Sequence, residues 1–237
     1  MLEPKDLSNC HLQTGFYRPE DWVKLRSGPR SCETTSSGAE GSMRSDIVPG
    51  AKFPDYELTD HARQRRSLSE IQGIDPMIVI LSRGHFCPKD HQQHLEMAAF
   101  YPKIAVAYTK IVTITTDPIY VANEFRDAVA APWPFLTDPG RKVQKDLDIQ
   151  EYTDPHHDPM IPHTLVLEPG LAIYKIYNGY WFWGRPSVQD LWQDLRVVFK
   201  KVRPDWDLST PGLKEDFDGP RTRHYPYRAA RDSAASD

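Results

Sequence analysis

Two rhythms of apolar and polar residues alternate along residues 46–205, and the switches between them outline a fold. "MIVILS" (77–82) and "KIVTITT" (110–116) are short apolar, β-branched runs without polar alternation, the pattern of strands buried on both faces. Between them, a polar stretch from Pro88 to about Tyr108 carries Leu95, Ala98 and Ala99 and predicts a helix. Pro88 suits its first turn, and Pro102 is expected to bend its later part. "PIYVANEFRDAVA" (118–130) predicts a second helix, "PWPFLTD" (132–138) an extended loop or short strand, and "RKVQKDLDI" (141–149) a short helix. "HTLVLEP" (163–169) and "LAIYKIYN" (171–178) predict a hairpin joined at Pro169-Gly170. The last element is the clearest: Ser187 and Asp190 form a capping box, and Val188, Leu191, Trp192, Leu195, Val198, Phe199 and Val202 recur at helical spacing. Ahead of all these, "AKFPDYELTD" (51–60) and "SLSEI" (67–71) predict an edge strand and a short helix. Strands alternating with crossover helices imply an α/β fold, a mixed sheet of four or five strands with helices on both faces.

Length and composition narrow the setting. The chain has 237 residues, enough for one core of about 150–170 residues. Residues 1–45, rich in Ser, Gly and Thr, read as a flexible extension, and 206–237 as a loop-like tail in which Trp206, Tyr225 and Tyr227 hint at docking. The net charge is −4 with Lys and Arg spread along the chain, so no nucleic-acid partner is expected. "MIVIL" (77–81) is far too short to span a bilayer, so no membrane partner is expected either. The polar start "MLEPKDLSNC" does not read as a secretory signal. Three widely spaced cysteines do not form a disulfide framework, which favours a reducing, cytoplasmic compartment.

The candidate chemistry lies in "LSRGHFCPKDHQQH" (81–94). Cys87 follows the first buried strand directly and precedes a helix-start proline. In open α/β sheets, ligands bind at the carboxyl ends of strands. The amino end of a helix favours an anion, Arg83 and Lys89 add positive charge nearby, and Asp90 is expected to work against it. Free cysteines are often simply buried, yet this setting suits a reactive thiolate. His85 is placed to tune the thiol or to donate to a leaving group. A rival reading comes from spacing: Cys87, His91 and His94 at i, i+4 and i+7 share one helix face, and with His156, His157 or His163 could hold a metal. "YWFWGRPS" (180–187) reads as a core plug or as a wall for a bulky apolar molecule.

From about Val48 to Arg203 the chain resembles the thioredoxin-fold redoxins, specifically the peroxiredoxin-like alkyl hydroperoxide reductase/thiol-specific antioxidant group. "VPGAKFPDYELTD" resembles that family's entry strand, "SRGHFCPKD" its RG-x-x-C-P turn, and "VTITTDPIYVANEF" and "PFLTDPGRKVQKDLDI" its second strand and following segments. "IPHTLVLEPGLAIYKIYNG" resembles the cis-proline loop and hairpin of thioredoxin folds, which makes Pro162 the expected cis residue facing the thiol. The resemblance implies a thiol peroxidase in which Cys87 attacks a hydroperoxide, supported by Arg83, His85 and Pro162, with an external thiol as reductant. No cofactor is expected, and a homodimer is left open. Four positions depart from the family pattern. Ile80 and Gly84 replace the Pro and the Thr or Ser of P-x-x-x-T/S-x-x-C, the family's second arginine is missing before the hairpin, and Asp90 stands where a thioredoxin has its resolving cysteine. The expectations are therefore a one-cysteine cycle, slow turnover, and dispensable Cys10 and Cys32. The remaining alternatives are a Cys–His metal protein and a redoxin scaffold recruited to another reaction.

Overall fold

In a computed structural model describing residues 43–179 and 184–219, seven strands form one mixed sheet. β1 (Glu57–Asp60) and β2 (Arg65–Ser67) make a short antiparallel hairpin, followed by α1 (Leu68–Gln72). β3 (Met77–Ser82), β4 (Lys110–Thr115) and β5 (Phe135–Thr137) run parallel and are linked by α2 (Pro88–Ala105) and α3 (Ile119–Ala128). After α4 (Lys142–Asp146) come the antiparallel pair β6 (His163–Glu168) and β7 (Ala172–Asn178), then α5 (Val188–Val202) and α6 (Leu213–Asp218). The strand order is β2-β1-β5-β4-β3-β6-β7, so the hairpin of β6 and β7 closes one side and β3 lies in the interior. No helix of the described residues is long and apolar enough to cross a membrane.

The sheet has more strands than the four or five expected. The surplus comes from the polar β2, which the sequence pattern does not predict, and from the three-residue β5, predicted as an extended loop or short strand; neither offers enough alternating positions to show a period.

β3 is buried along its whole length, and its alternating side chains feed two cores. Met77, Val79 and Leu81 pack on one face with Phe53, Leu68 and Leu165. Ile78 and Ile80 pack on the other with Met97, Phe125, Phe135 and Leu195. Each such side chain contributes about 1.5–3 kcal/mol on burial, which pins the strand and therefore the end at which Cys87 emerges.

α2 begins where Pro88, at its first position, loses nothing by lacking an N–H. It passes through Pro102 and stops before Tyr108. There Tyr108 takes a left-handed φ of 61°, and Thr109 N–H donates back to Ile104 O at 3.3 Å, which also accepts from Ala107 N at 3.1 Å. α5 opens on the expected capping box: Ser187 Oγ accepts from Asp190 N, and the Asp190 side chain accepts from Ser187 N at 2.9 Å. The segment read as a tail carries a helix, α6, and Trp206 stacks on Phe199 with ring centroids 5.5 Å apart. Tyr225, Tyr227, Cys10 and Cys32 lie outside the described residues.

Candidate active site

β3 ends at Ser82, and the chain crosses residues 83–86 to the N-cap of α2, which is Cys87. Its N–H donates to Gly84 O, and its carbonyl accepts from Asp90 N and His91 N, each at 3.1 Å. The thiol itself makes no capping bond. The residue is almost fully buried, at 2% exposure, yet Sγ borders a cavity of about 270 Å³ lined by Arg83, Cys87, Pro88, Lys89, Glu151, Pro162 and Arg185.

Two guanidiniums flank the sulfur. Arg83 Nη1 lies 4.0 Å from Sγ and Arg185 Nη2 lies 3.9 Å from it. Each is held by carboxylates. Arg83 Nη2 donates to Glu151 Oε1 at 2.9 Å and to Asp154 Oδ2 at 3.4 Å, and Glu151 Oε2 lies at ion-pair distance, 2.8 Å, from Nε. Asp90 pairs with Nε and Nη2 of Arg185, whose Nη1 donates to Gly179 O at 2.5 Å. Several charge-assisted contacts on each guanidinium fix its orientation as well as its charge. The position before the hairpin carries no arginine, and the second guanidinium at the sulfur comes instead from the loop after β7, 98 residues along the chain from Cys87.

Asp90 does not oppose the site's positive charge in the way its position suggests. It is wholly buried, and its carboxylate accepts from Ser82 Oγ at 2.8 Å and Arg83 N at 2.6 Å besides binding Arg185. It ties the end of β3, the first turn of α2 and the distant arginine into one unit.

The histidines do not gather around the sulfur. His94 Nδ1 donates to Asp90 O at 2.7 Å, so its Nε2 accepts from the Thr113 hydroxyl at 3.0 Å, which in turn accepts from Trp133 Nε1 at 3.0 Å. Burial keeps His94 neutral by lowering its pKa. His91 Nε2 meets His85 O at 2.9 Å, and the His85 ring packs against His91 and Phe125. Among the described residues no group of three His, Cys, Asp or Glu side chains could hold a metal. The set Cys87, His91 and His94 fails because Cys87 is the cap rather than a member of the helix face, while both nitrogens of His94 are committed elsewhere. His157 lies face to face on Phe86 at 3.7 Å and bonds to Asp154, closing the far side of Arg83.

Pro162 borders the cavity as expected, but its peptide bond is trans, since no cis bond occurs among the described residues. Ile161 N pairs with Ile149 O at 2.6 Å, and this extended run continues straight into β6. The next residue, His163, is buried, with Nδ1 on Ile161 O at 2.9 Å. Burial pushes its pKa down to about 4, helped by the nearby Arg185 charge.

Gly84 explains one departure from the family pattern. Its φ is +124°, and a Cβ placed there would lie 2.8 Å from both carboxylate oxygens of Asp117. Asp117 is itself engaged by His85 N at 2.8 Å and Thr115 Oγ1 at 2.9 Å. A threonine cannot occupy this position as built. Of "YWFWGRPS", residues 180–183 lie outside the described set; Arg185, which sequence reasoning passed over, is the part that reaches the thiol.

The family model described as AhpC/TSA family matches residues 49–176. Peroxiredoxin Q, chloroplastic, from Oryza sativa subsp. japonica is 23% identical over 189 residues, covering 76% of this chain and 86% of the relative. Among solved structures, peroxidoxin BcpB from Mycobacterium tuberculosis superposes with a TM-score of 0.53 at 16% identity, over 66% of this chain and 96% of that one. Enterococcus faecalis AhpC gives 0.56 at 15% identity, over 65% and 93%. These structural likenesses bear out the thioredoxin-like fold.

Proposed function

The chain belongs to the AhpC/TSA family, and from that premise we propose that it is a one-cysteine thiol peroxidase acting through Cys87. The observation that carries this reading is a thiol at a helix amino end, bordering a cavity, with two fixed guanidiniums at 4.0 and 3.9 Å. A cysteine attacks as its thiolate, and fixed cations beside the reacting atoms stabilise the charge that passes from sulfur to the leaving oxygen. The thiolate sulfur attacks the terminal oxygen of a hydroperoxide ROOH. The O–O bond breaks, the alkoxide takes a proton and leaves as ROH, and Cys87 becomes a sulfenic acid. An external thiol displaces water from the sulfenic acid to give a mixed disulfide. A second thiol then releases Cys87 as thiol and departs with the first as a disulfide.

The cavity of about 270 Å³, with both arginines in its wall, suits a small hydroperoxide better than a bulky apolar substrate. Cys10 and Cys32 are dispensable in this cycle. The cytoplasmic setting belongs to the same proposal, as does a homodimer. Replacing Cys87 with Ser should abolish peroxide consumption and sulfenic-acid labelling, whereas the double variant Cys10→Ser/Cys32→Ser should retain both. Peroxide turnover surviving in the Cys87 variant would place the nucleophile elsewhere.

One observation favours a second reading, a redoxin scaffold with peroxide turnover lost: Gly84 leaves no hydroxyl where the family pattern has one. Under the first reading, turnover is measurable but slower than in family members with the threonine. Under the second, Cys87 alkylates readily yet consumes no peroxide.

A further inference from the structure

The carboxyl-terminal end of α2, about 25 Å along the helix from Cys87 at 1.5 Å per residue, borders a second cavity of about 310 Å³. Its walls are apolar: Ile104 and Ala107 from the α2 side, Trp192, Leu195 and Phe199 from α5, and Trp206 from the short turn after α5. The aromatic walls are braced from behind. Trp192 meets Phe100 edge-on at 5.6 Å, Trp206 stacks on Phe199, and the Arg203 guanidinium covers the Trp206 ring at 4.4 Å. The two indoles are nevertheless 36% and 45% exposed, an unusual arrangement for rings of this size outside a binding surface.

Lys103, Arg196, Lys200 and Arg203 stand around this apolar space. The bland account is that cations in a last helical turn complement the helix dipole, and Lys103 and Lys200 do sit in such turns. That account leaves a surplus. Two helix ends supply roughly half a negative charge each, Asp205 neutralises Arg203, and Asp207 supplies the remaining acid in the wall. Against four cations, the described residues leave about one uncompensated positive charge beside an apolar slot. Arg196, near the middle of α5, lies outside the reach of the dipole argument.

We propose that this cleft binds a small amphipathic monoanion, an aliphatic or aryl carboxylate whose apolar body lies between Trp192, Phe199 and Trp206 and whose charge meets Lys103 and Lys200. The volume limits the ligand to a medium-length chain, at the low end of small-molecule pockets, and the single surplus charge favours a carboxylate over a phosphate dianion. The site is independent of the thiol and of its chemistry.

The test uses the full chain and decanoate below its micellar concentration, followed by tryptophan fluorescence and calorimetry. The expected result is saturable one-to-one binding, at least tenfold tighter than for decan-1-ol and absent for decyltrimethylammonium. Lys103→Glu/Lys200→Glu should weaken decanoate at least tenfold while leaving decan-1-ol unchanged. Ala107→Trp, which fills the cleft, should abolish both, and in neither variant should peroxide consumption change. Three outcomes overturn the proposal: no saturable binding, binding indifferent to charge or to these substitutions, or a concentration-dependent dimer that Ala107→Trp dissolves. Capture by phosphatidylglycerol vesicles without binding of free decanoate would likewise overturn it, assigning the cations to a membrane surface instead.

Discussion

The two ends of α2 use cations in opposite ways. At the amino end, Arg83 and Arg185 are each clamped by carboxylates, Glu151 and Asp90, and are three-quarters or more buried. At the carboxyl end, the lysines Lys103 and Lys200 make no ion pair among the described residues and border an apolar space. Clamped charges are oriented in advance and act on an atom at a fixed place. Loose charges on flexible stems accept a ligand of variable shape at the cost of ordering those stems. One helix thus presents a place built for chemistry and a place suited to binding.

The largest effect should come from unclamping the amino end. Asp90→Asn removes the partner of a buried guanidinium, and breaking a buried pair costs about 3–5 kcal/mol. Urea unfolding should show that loss, and iodoacetamide should alkylate Cys87 more slowly at pH 7. Unchanged stability would mean that Arg185 finds another partner.

Restoring the family's threonine sharpens the contrast further. Gly84→Thr forces a side chain onto a φ of +124° and into the Asp117 carboxylate, which should cost about 1–3 kcal/mol and give no gain in peroxide turnover. A faster, equally stable enzyme would refute the clash.

Next is acid. His163 is held neutral in the fold with its pKa lowered to about 4, from an ordinary 6.5, and His94 is shifted the same way. The unfolded chain therefore binds protons that the folded one refuses. The stability these groups contribute is complete above pH 6.5 and is lost as pH falls from there towards 4, at up to about 1.4 kcal/mol per unit for each. Urea midpoints at pH 7, 6 and 5 measure this, and His163→Asn should flatten the profile.

The smallest effect belongs to the loose end: Lys103→Ala should change stability by less than about 0.5 kcal/mol and leave peroxide consumption as it was.

What the sequence made legible follows from how local each signal is. β3 is found with its boundaries because a six-residue β-branched run reports its own burial. The start of α2 is marked by Pro88, and that of α5 by the Ser187–Asp190 box. β2 was not legible and β5 was legible only as an extended loop or short strand, because three residues cannot display a period. Arg185 was not legible for a different reason: a long side chain reaching in from a loop leaves no spacing signature. The one hint was its neighbour Gly184, where a Cβ would stand 2.2 Å from Asn178 O, a mark of close backbone approach. Asp90 was misjudged because a sequence shows a charge but not its partner. The histidines at i+4 and i+7 suggested a metal because helical spacing says which residues share a face, not which nitrogens are already bonded.

The fit between Gly84 and Asp117 constrains how this chain can change. A substitution at position 84 meets a carboxylate, and a substitution at 117 strips the partner from His85 N–H and the Thr115 hydroxyl. Neither change is neutral alone, so the hydroxyl that the family pattern places three residues before the cysteine lies at least two coupled substitutions and a backbone shift away. In mutational terms the pair acts as a ratchet: a single step at either position loses a fit that the other position still requires.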